Sequence, residues 1–206
     1  MPAREIGLFP LGAVLVPGEL MPLHIFEDRY KRLIGDCEER GQEFAVVYGD
    51  DDGVRELGCT AELVEVVERF DDGRLNIVVR GGEIVRVVEL TRGRAYTTAM
   101  VEPAEDDLAD ADPTAAANLY RRIAEATGND PDPAVDAPDA GPMSYAIAAR
   151  VELPPAEKHR IVEERSERGR LMIVVELLAR GLENLAVAAE IRTRAQTNGK
   201  VAPPGG

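Results

Sequence analysis

The side chains of this 206-residue sequence whose types could do chemistry are few and widely spaced. Ser144 and Lys158 have the right types for a serine nucleophile with a lysine base. They fall on separate expected helices, and no glycine-rich surround exposes the serine, so a structural role is expected. His24 and His159 are the two histidines. One lies in an extended segment and the other in a Lys-His-Arg run, a spacing that makes no zinc site. His24 is expected to be packed or hydrogen-bonded, and His159 to be a solvated helix residue. Asp50-Asp51-Asp52 has acidic density but is followed by Gly53-Val54, without the ligand spacing of a calcium loop, and reads as a solvated turn. Glu38-Glu39 and Glu163-Glu164 are adjacent on helices, point in different directions, and read as surface charges. Arg80-Gly81-Gly82-Glu83 has the look of a phosphate loop but opens no helix that would supply a dipole, so it reads as a tight hairpin. Cys37 and Cys59 form no C-x-x-C pair, and a single bridge between them is only weakly motivated. The expected catalytic, cofactor and metal sets are therefore all empty.

An apolar group is the remaining candidate. Met21, Leu23, Phe26 and Tyr30 lie where an extended segment joins a helix, beside Pro17 and Pro22. Facing outward, they would form a surface able to hold an extended apolar peptide, with the methionine adaptable to varied side chains. Facing inward, they would be core.

Elements must position these groups, and most are legible. Residues 5–26 read as short extended segments punctuated by Pro10, Pro17-Gly18 and Pro22. From residue 27 the period changes: Tyr30, Leu33, Ile34 and Cys37 recur at helical spacing, with acids in the first turn, Arg40 in the last and Gly41 as the cap. Strands are expected at 43–48, 58–69, 74–80, 83–90 and 95–102, with Asp71-Asp72-Gly73 as a hairpin turn. Their short, regular spacing suggests a small antiparallel barrel or sandwich. Beyond Pro103 the composition shifts, and residues 101–142 hold eleven acids against two bases. Asp112-Pro113 starts a helix that runs to about residue 127, followed by a mobile acidic loop over 128–142. Helices are expected at 144–153, 156–164 and 168–195, with Gly181 a point of bending or division. Residues 196–206 read as a disordered tail. The division is thus a β-rich part over 1–103 and a helical part over 104–195.

The net charge of −14 and pI near 4.6 oppose binding to nucleic acid or to anionic membranes, and no basic patch of size offsets them. No run approaches the ~20 apolar residues of a membrane span, and no secretory leader is visible. The expected compartment is the cytoplasm, with reduced thiols.

Phe9-Pro10-Leu11, Val14-Leu15-Val16-Pro17-Gly18, Met21 to Glu27 and Arg29-Tyr30 together resemble the N-terminal substrate-recognition domain of ATP-dependent Lon protease. Gly58-Cys59-Thr60-Ala61, Asp72-Gly73-Arg74, Gly81 with Ile84, Arg86 and Val87, Leu153-Pro154 with Glu157-Lys158, Arg170-Leu171 and Leu177-Leu178 fit as well. The resemblance spans about residues 4–195. It implies an α+β chain: an N-terminal PUA-like antiparallel β pseudobarrel with one inserted helix, then a C-terminal α-helical bundle. It also implies capture of unfolded or client polypeptide, or of a protein partner. The sequence contains no G-x-x-x-x-G-K-[ST] phosphate loop, since Gly199-Lys200 is followed by Val201. The expectation is therefore a stand-alone Lon-type domain that binds polypeptide through a groove between barrel and bundle, without cofactor, ATPase or protease. An RNA-binding PUA-like protein and a small-ligand enzyme are the alternatives.

Overall fold

The structure is a computed structural model. It describes residues 3–50, 53–91, 93–109, 111–137 and 141–198; the side chains of residues 193 and 195–198 are not described. Asp51 and Asp52 of the acidic turn and the end of the tail, 199–206, lie outside the described residues.

Six strands come first: β1 (Arg4–Leu11), β2 (Leu20–Ile25), β3 (Phe44–Asp50), β4 (Gly53–Arg69), β5 (Leu75–Thr91) and β6 (Thr98–Pro103). Their order is β2-β5-β4-β3-β1-β6, and β5 also pairs with β6. That extra pairing closes a ring through β5, β4, β3, β1 and β6, and leaves β2 attached to the first half of β5. All pairs are antiparallel except β1 with β3, which run parallel. The barrel is therefore mixed rather than wholly antiparallel. The two parallel strands are covered on both sides: Ile6, Leu8, Ala45 and Val47 pack with Val85, Ala99 and Val101, while Phe9, Phe44 and Val46 join the main core. Burial on both faces explains why Phe44 to Val47 is an unbroken apolar run.

The expected strands at 74–80 and 83–90 are one 17-residue strand, so the hairpin expected at Arg80–Glu83 does not exist. The glycine pair serves close approach instead. A Cβ on Gly81 would sit 2.0 Å from the Val16 carbonyl oxygen, and one on Gly82 would sit 2.3 Å from Thr60 Oγ1. The residue pattern of a turn and that of a tightly crossed strand are the same here, and only the neighbours distinguish them.

Helix α1 (Asp28–Arg40) closes one side of the barrel with Tyr30, Leu33, Ile34 and Cys37 buried, and Gly41 ends it at φ 60°. The helical part comprises α2 (Thr114–Thr127), α3 (Met143–Ala148), α4 (Pro155–Glu163) and α5 (Glu167–Asn198). Asp112 Oδ1 accepts from the Thr114 N–H at 3.0 Å in the turn that leads into α2, whose N-cap is Pro113. Residues 129–137, inside the stretch expected as a mobile loop, carry anchors. Val135 is buried in a 3₁₀ turn, Asp132 pairs with Arg150 at 2.5 Å, and Tyr120 Oη accepts from the Asp132 N–H. Helix α5 continues through Gly181 without a break and, beyond Leu182, every described side chain is exposed.

Barrel and bundle share one apolar core running from Phe9 and Phe44 to Leu171 and Leu178. The apolar groove expected between them is filled by this packing. Clefts of about 410 and 330 Å³ along the seam are lined mainly by charged residues, among them Arg55, Arg86, Glu163 and Arg165.

Both cysteines are free and buried. Burial pushes the Cys37 thiol up to about 11 and raises that of Cys59 further, so neither offers a thiolate near neutral pH.

Candidate functional site

Ser144 and Lys158 each have structural partners. Ser144 is fully buried; its Oγ donates to Glu167 Oε2 at 2.6 Å and accepts from Arg170 Nε at 2.9 Å. Lys158 Nζ instead donates to Glu19 Oε1 at 2.5 Å, fastening α4 to the turn before β2. The serine and the lysine therefore serve different ion networks, and the serine is committed to the bundle core.

His159 is not solvated as the sequence suggested. It is 6% exposed because α4 presses it against the Tyr48 ring of β3, at 5.3 Å between centroids. Neither ring nitrogen meets hydrogen-bond geometry within the protein; Glu163 Oε1 lies 3.4 Å from Nε2. Burial lowers its pKa, with Arg55 adding to the effect and Glu163 and Asp50 opposing it. A histidine depressed on folding contributes stability that is complete above its unfolded value, about 6.5, and is lost as pH falls toward the folded value. The wild-type chain should thus lose stability between pH 7 and 5 more steeply than His159→Gln. Urea melts across that range check this, and parallel slopes for the two proteins would contradict it.

Glu164 accepts from the Ser166 N–H and Oγ, both at 2.8 Å, and is half-buried rather than a free surface charge. Glu38 is exposed and pairs with Arg69 at 2.6 Å. A cleft of about 780 Å³ between α1, β1 and β4 holds acids that are mostly tied. Tyr96 Oη donates to Asp36 at 2.5 Å, which lowers the Asp36 pKa, and Arg4 pairs with Glu43 and Glu83. Among the described residues no three His, Cys, Asp or Glu side chains converge as a metal-holding group.

The four apolar residues singled out in the sequence divide. Leu23 and Tyr30 are core, at 9% and 8% exposure; Met21 is half-buried against that core. Phe26 stands out at 59% exposure. The alternation of β2 explains the division. Met21, Leu23 and Ile25 point inward, whereas Leu20, Pro22 and His24 point outward, and Leu20 is 56% exposed. The structure adds residues the sequence did not flag. His24 stacks on Phe26 at 6.0 Å and meets Phe70 edge-on at 6.1 Å, while its Nδ1 lies 2.7 Å from Asn76 Oδ1. Leu20, His24 and Phe26 thus form an exposed strip along β2, flanked by half-buried Phe70 of the β4–β5 hairpin. The period-2 pattern of Leu20 to Ile25 carried this signal, but an edge strand beside a proline does not declare which of its faces is buried.

Residues 5–180 match the ATP-dependent protease La (LON) substrate-binding domain. The chain belongs to that family. Two relatives are Lon protease 2 of Myxococcus xanthus, 28% identical over 91% of this chain, and the Lon protease of Anaeromyxobacter dehalogenans, 28% identical over 89%. The chain spans only about a quarter of their length: 25% and 24%. The matches thus fall on the LON substrate-binding part of those proteases. Among solved structures, a Lon N-terminal domain protein from Xanthomonas campestris aligns with a TM-score of 0.61 at 25% identity, over 85% of this chain and 98% of that one. The N-terminal domain of a Mycobacterium avium complex Lon protease aligns with a TM-score of 0.68 at 15% identity and the same coverage, a likeness of fold. The α+β architecture of a strand ring plus helices is therefore that of LON N-terminal domains. Among the described residues no helix is long and apolar enough to cross a membrane.

Proposed function

We propose that this chain is a non-catalytic polypeptide-binding module that holds unfolded or client segments against its exposed apolar strip. The observation that carries this reading is the strip itself. Leu20 and Phe26 expose large apolar side chains on the face of β2 that carries His24, and His24 meets the rings of both Phe26 and Phe70. Aromatic and aliphatic groups in a continuous exposed patch mark interaction sites. The description of the family as a substrate-binding domain supports the same reading. So do the hydrogen bonds that hold Ser144 and Lys158 in separate structural networks. Of the residues proposed from sequence, Phe26 would touch the polypeptide, Met21 would support it from behind, and Leu23 and Tyr30 would set the position of β2 and α1.

The test is fluorescence anisotropy with reduced, carboxymethylated α-lactalbumin as the unfolded probe and the native protein as control. The unfolded form should bind and the native form should not. The double substitution Leu20→Ser and Phe26→Ser should weaken binding by about tenfold or more, that is about 1.4 kcal/mol. Both positions are exposed, so the melting temperature should barely move. Equal binding by wild type and double variant would overturn the assignment of the strip.

A further inference from the structure

The open edge of β2 raises a second question, namely how a bound polypeptide is held. Strand β2 is the terminal strand of the sheet, paired with β5 on one side and, among the described residues, with no strand on the other. The register is unbroken from Leu20↔Arg80 to Ile25↔Leu75. Immediately before it, the Gly81 N–H donates to the Glu19 carbonyl at 2.9 Å. Antiparallel ladders alternate strictly between hydrogen-bonded and non-hydrogen-bonded pairs. With Glu19 opposite Gly81 bonded, Met21, Leu23 and Ile25 bond to β5. The backbone groups of Leu20, Pro22 and His24 then point away from the sheet.

Pro22 fits that parity, since a proline inside a strand is tolerated where its missing N–H would face outward. The outer edge therefore offers the N–H and C=O of Leu20 and His24 and the C=O of Pro22. Their side chains lie on the same face as the exposed Leu20 and Phe26. Folded proteins commonly protect such an edge with charge. The outer end of β4, paired only with β5 beyond Ala61, carries Glu62, Glu65, Glu68 and Arg69. The β2 segment Leu20 to Ile25 carries no acid, lysine or arginine.

From this juxtaposition we infer that β2 accepts a client polypeptide as an added strand, backbone to backbone, with alternate apolar client side chains laid along Leu20, His24 and Phe26. This rests on the polypeptide-binding reading and specifies its mode. The occupant is an extended client segment rather than a second copy of this chain. Two β2 edges paired symmetrically about Pro22 would set proline against proline, and both would lack the donor that the pair needs. Strand addition draws affinity from main-chain hydrogen bonds and selectivity from alternate side chains, which suits clients of varied sequence.

The geometry makes an alternating prediction. Client residues whose N–H groups face β2 are those whose side chains share the face of Leu20 and Phe26. The probe is a fluorescein-labelled peptide of alternating valine and threonine with lysine at both ends. Two versions carry N-methyl groups, one on every valine and the other on every threonine. The valine-methylated peptide should bind at least about tenfold more weakly than the parent, and the threonine-methylated peptide should bind as the parent does. His24→Pro, which removes one outward donor and leaves the β5 ladder intact, should weaken the parent by several-fold relative to His24→Ala. Equal binding of the two methylated peptides, whether both retained or both lost, overturns strand addition. Where the unmethylated parent binds in that experiment, polypeptide binding itself stands. A parent peptide that fails to bind overturns the strand mode, while binding of carboxymethylated α-lactalbumin decides the broader reading separately.

Discussion

Replacing Arg170 by methionine is expected to lower the stability of the fold by about 3–5 kcal/mol, the usual cost of removing one partner from a buried charge pair. Arg170 has no exposed side-chain surface. Its Nε donates to Ser144 Oγ at 2.9 Å and to Glu167 Oε2 at 3.1 Å; Nη1 donates to the Glu164 carbonyl at 3.1 Å. Its Nη2 reaches Glu167 Oε2 at 2.9 Å and Asp106 Oδ2 at 3.1 Å, and the guanidinium lies 4.3 Å from the centre of the Tyr145 ring. Glu167 is itself 5% exposed and also accepts from the Ser144 N–H. Methionine fills much of the volume but leaves the Glu167 carboxylate buried beside Asp106 without a cation. The loss should appear as a melting temperature lower by roughly 10 °C, given the entropy of unfolding of a chain this size. Arg170→Lys keeps the charge but cannot fork between Ser144, Glu164 and Glu167, so it should fall between the two. Adding Glu167→Gln to Arg170→Met should recover part of the loss, because no buried carboxylate is then left without a cation and Asp106 keeps Arg165. A loss under about 1 kcal/mol for Arg170→Met would mean that water replaces the guanidinium, and would contradict the burial described here.

The network matters for the whole chain because it lies where the β-rich part hands over to the helices. Arg165 pairs with Asp106 and donates to the Ala104 carbonyl at 2.8 Å. The Asp107 N–H donates to the Arg165 carbonyl, and the Asp107 carbonyl accepts from the Glu167 N–H, each at 2.8 Å. The segment leaving β6 is thus tied to the start of α5, and α3 is tied to both through Ser144.

Gly81→Ala is the second large effect, expected to cost about 3 kcal/mol or more by overpacking against backbone. The added Cβ would lie 2.0 Å from the Val16 oxygen and 2.8 Å from the Val16 carbonyl carbon. Backbone must move, and it is held: Gly81 donates to the Glu19 carbonyl at 2.9 Å and accepts from the Gly18 N–H at 2.8 Å. Gly82→Ala should cost less, since its close neighbour is the Thr60 hydroxyl at 2.3 Å, a side chain that can rotate. Rotation still forfeits the bond from the Glu83 N–H to Thr60 Oγ1 at 3.0 Å. Gly12→Ala, with nothing within 4 Å of the new atom, is the control. Denaturant midpoints should therefore rank Gly12→Ala above Gly82→Ala above Gly81→Ala, and a stable Gly81→Ala variant would show that the Val16 turn is free to shift. The same turn sets up β2, so Gly81→Ala should also disturb the surface proposed to bind polypeptide.

Sequence alone determined the elements whose signal is local. Helix α1 follows from apolar residues at helical spacing between first-turn acids and Gly41, and no distant contact is needed to specify that period. The hairpin at Asp71 to Gly73 and the Asp112 turn that leads into α2 are likewise short-range chemistry. The family was legible because Phe9 to Tyr30 carries a dense run of specific residues. Tertiary structure decided whatever depends on neighbours far along the chain. Whether Arg80 to Glu83 turns or runs straight is settled by Val16 and Thr60 lying against the two glycines. Whether His159 is wet is settled by Tyr48, more than a hundred residues earlier. Whether Ser144 is reactive is settled by Glu167 and Arg170, which consume its hydrogen bonds. The same holds for Met21, Leu23, Phe26 and Tyr30. Their types announced an apolar cluster, but the pairing of β2 with β5 and the packing of α1 beneath it sent Leu23 and Tyr30 inward and left Phe26 in water. A strand's two faces differ only in what lies against them, and that is a property of the assembled fold.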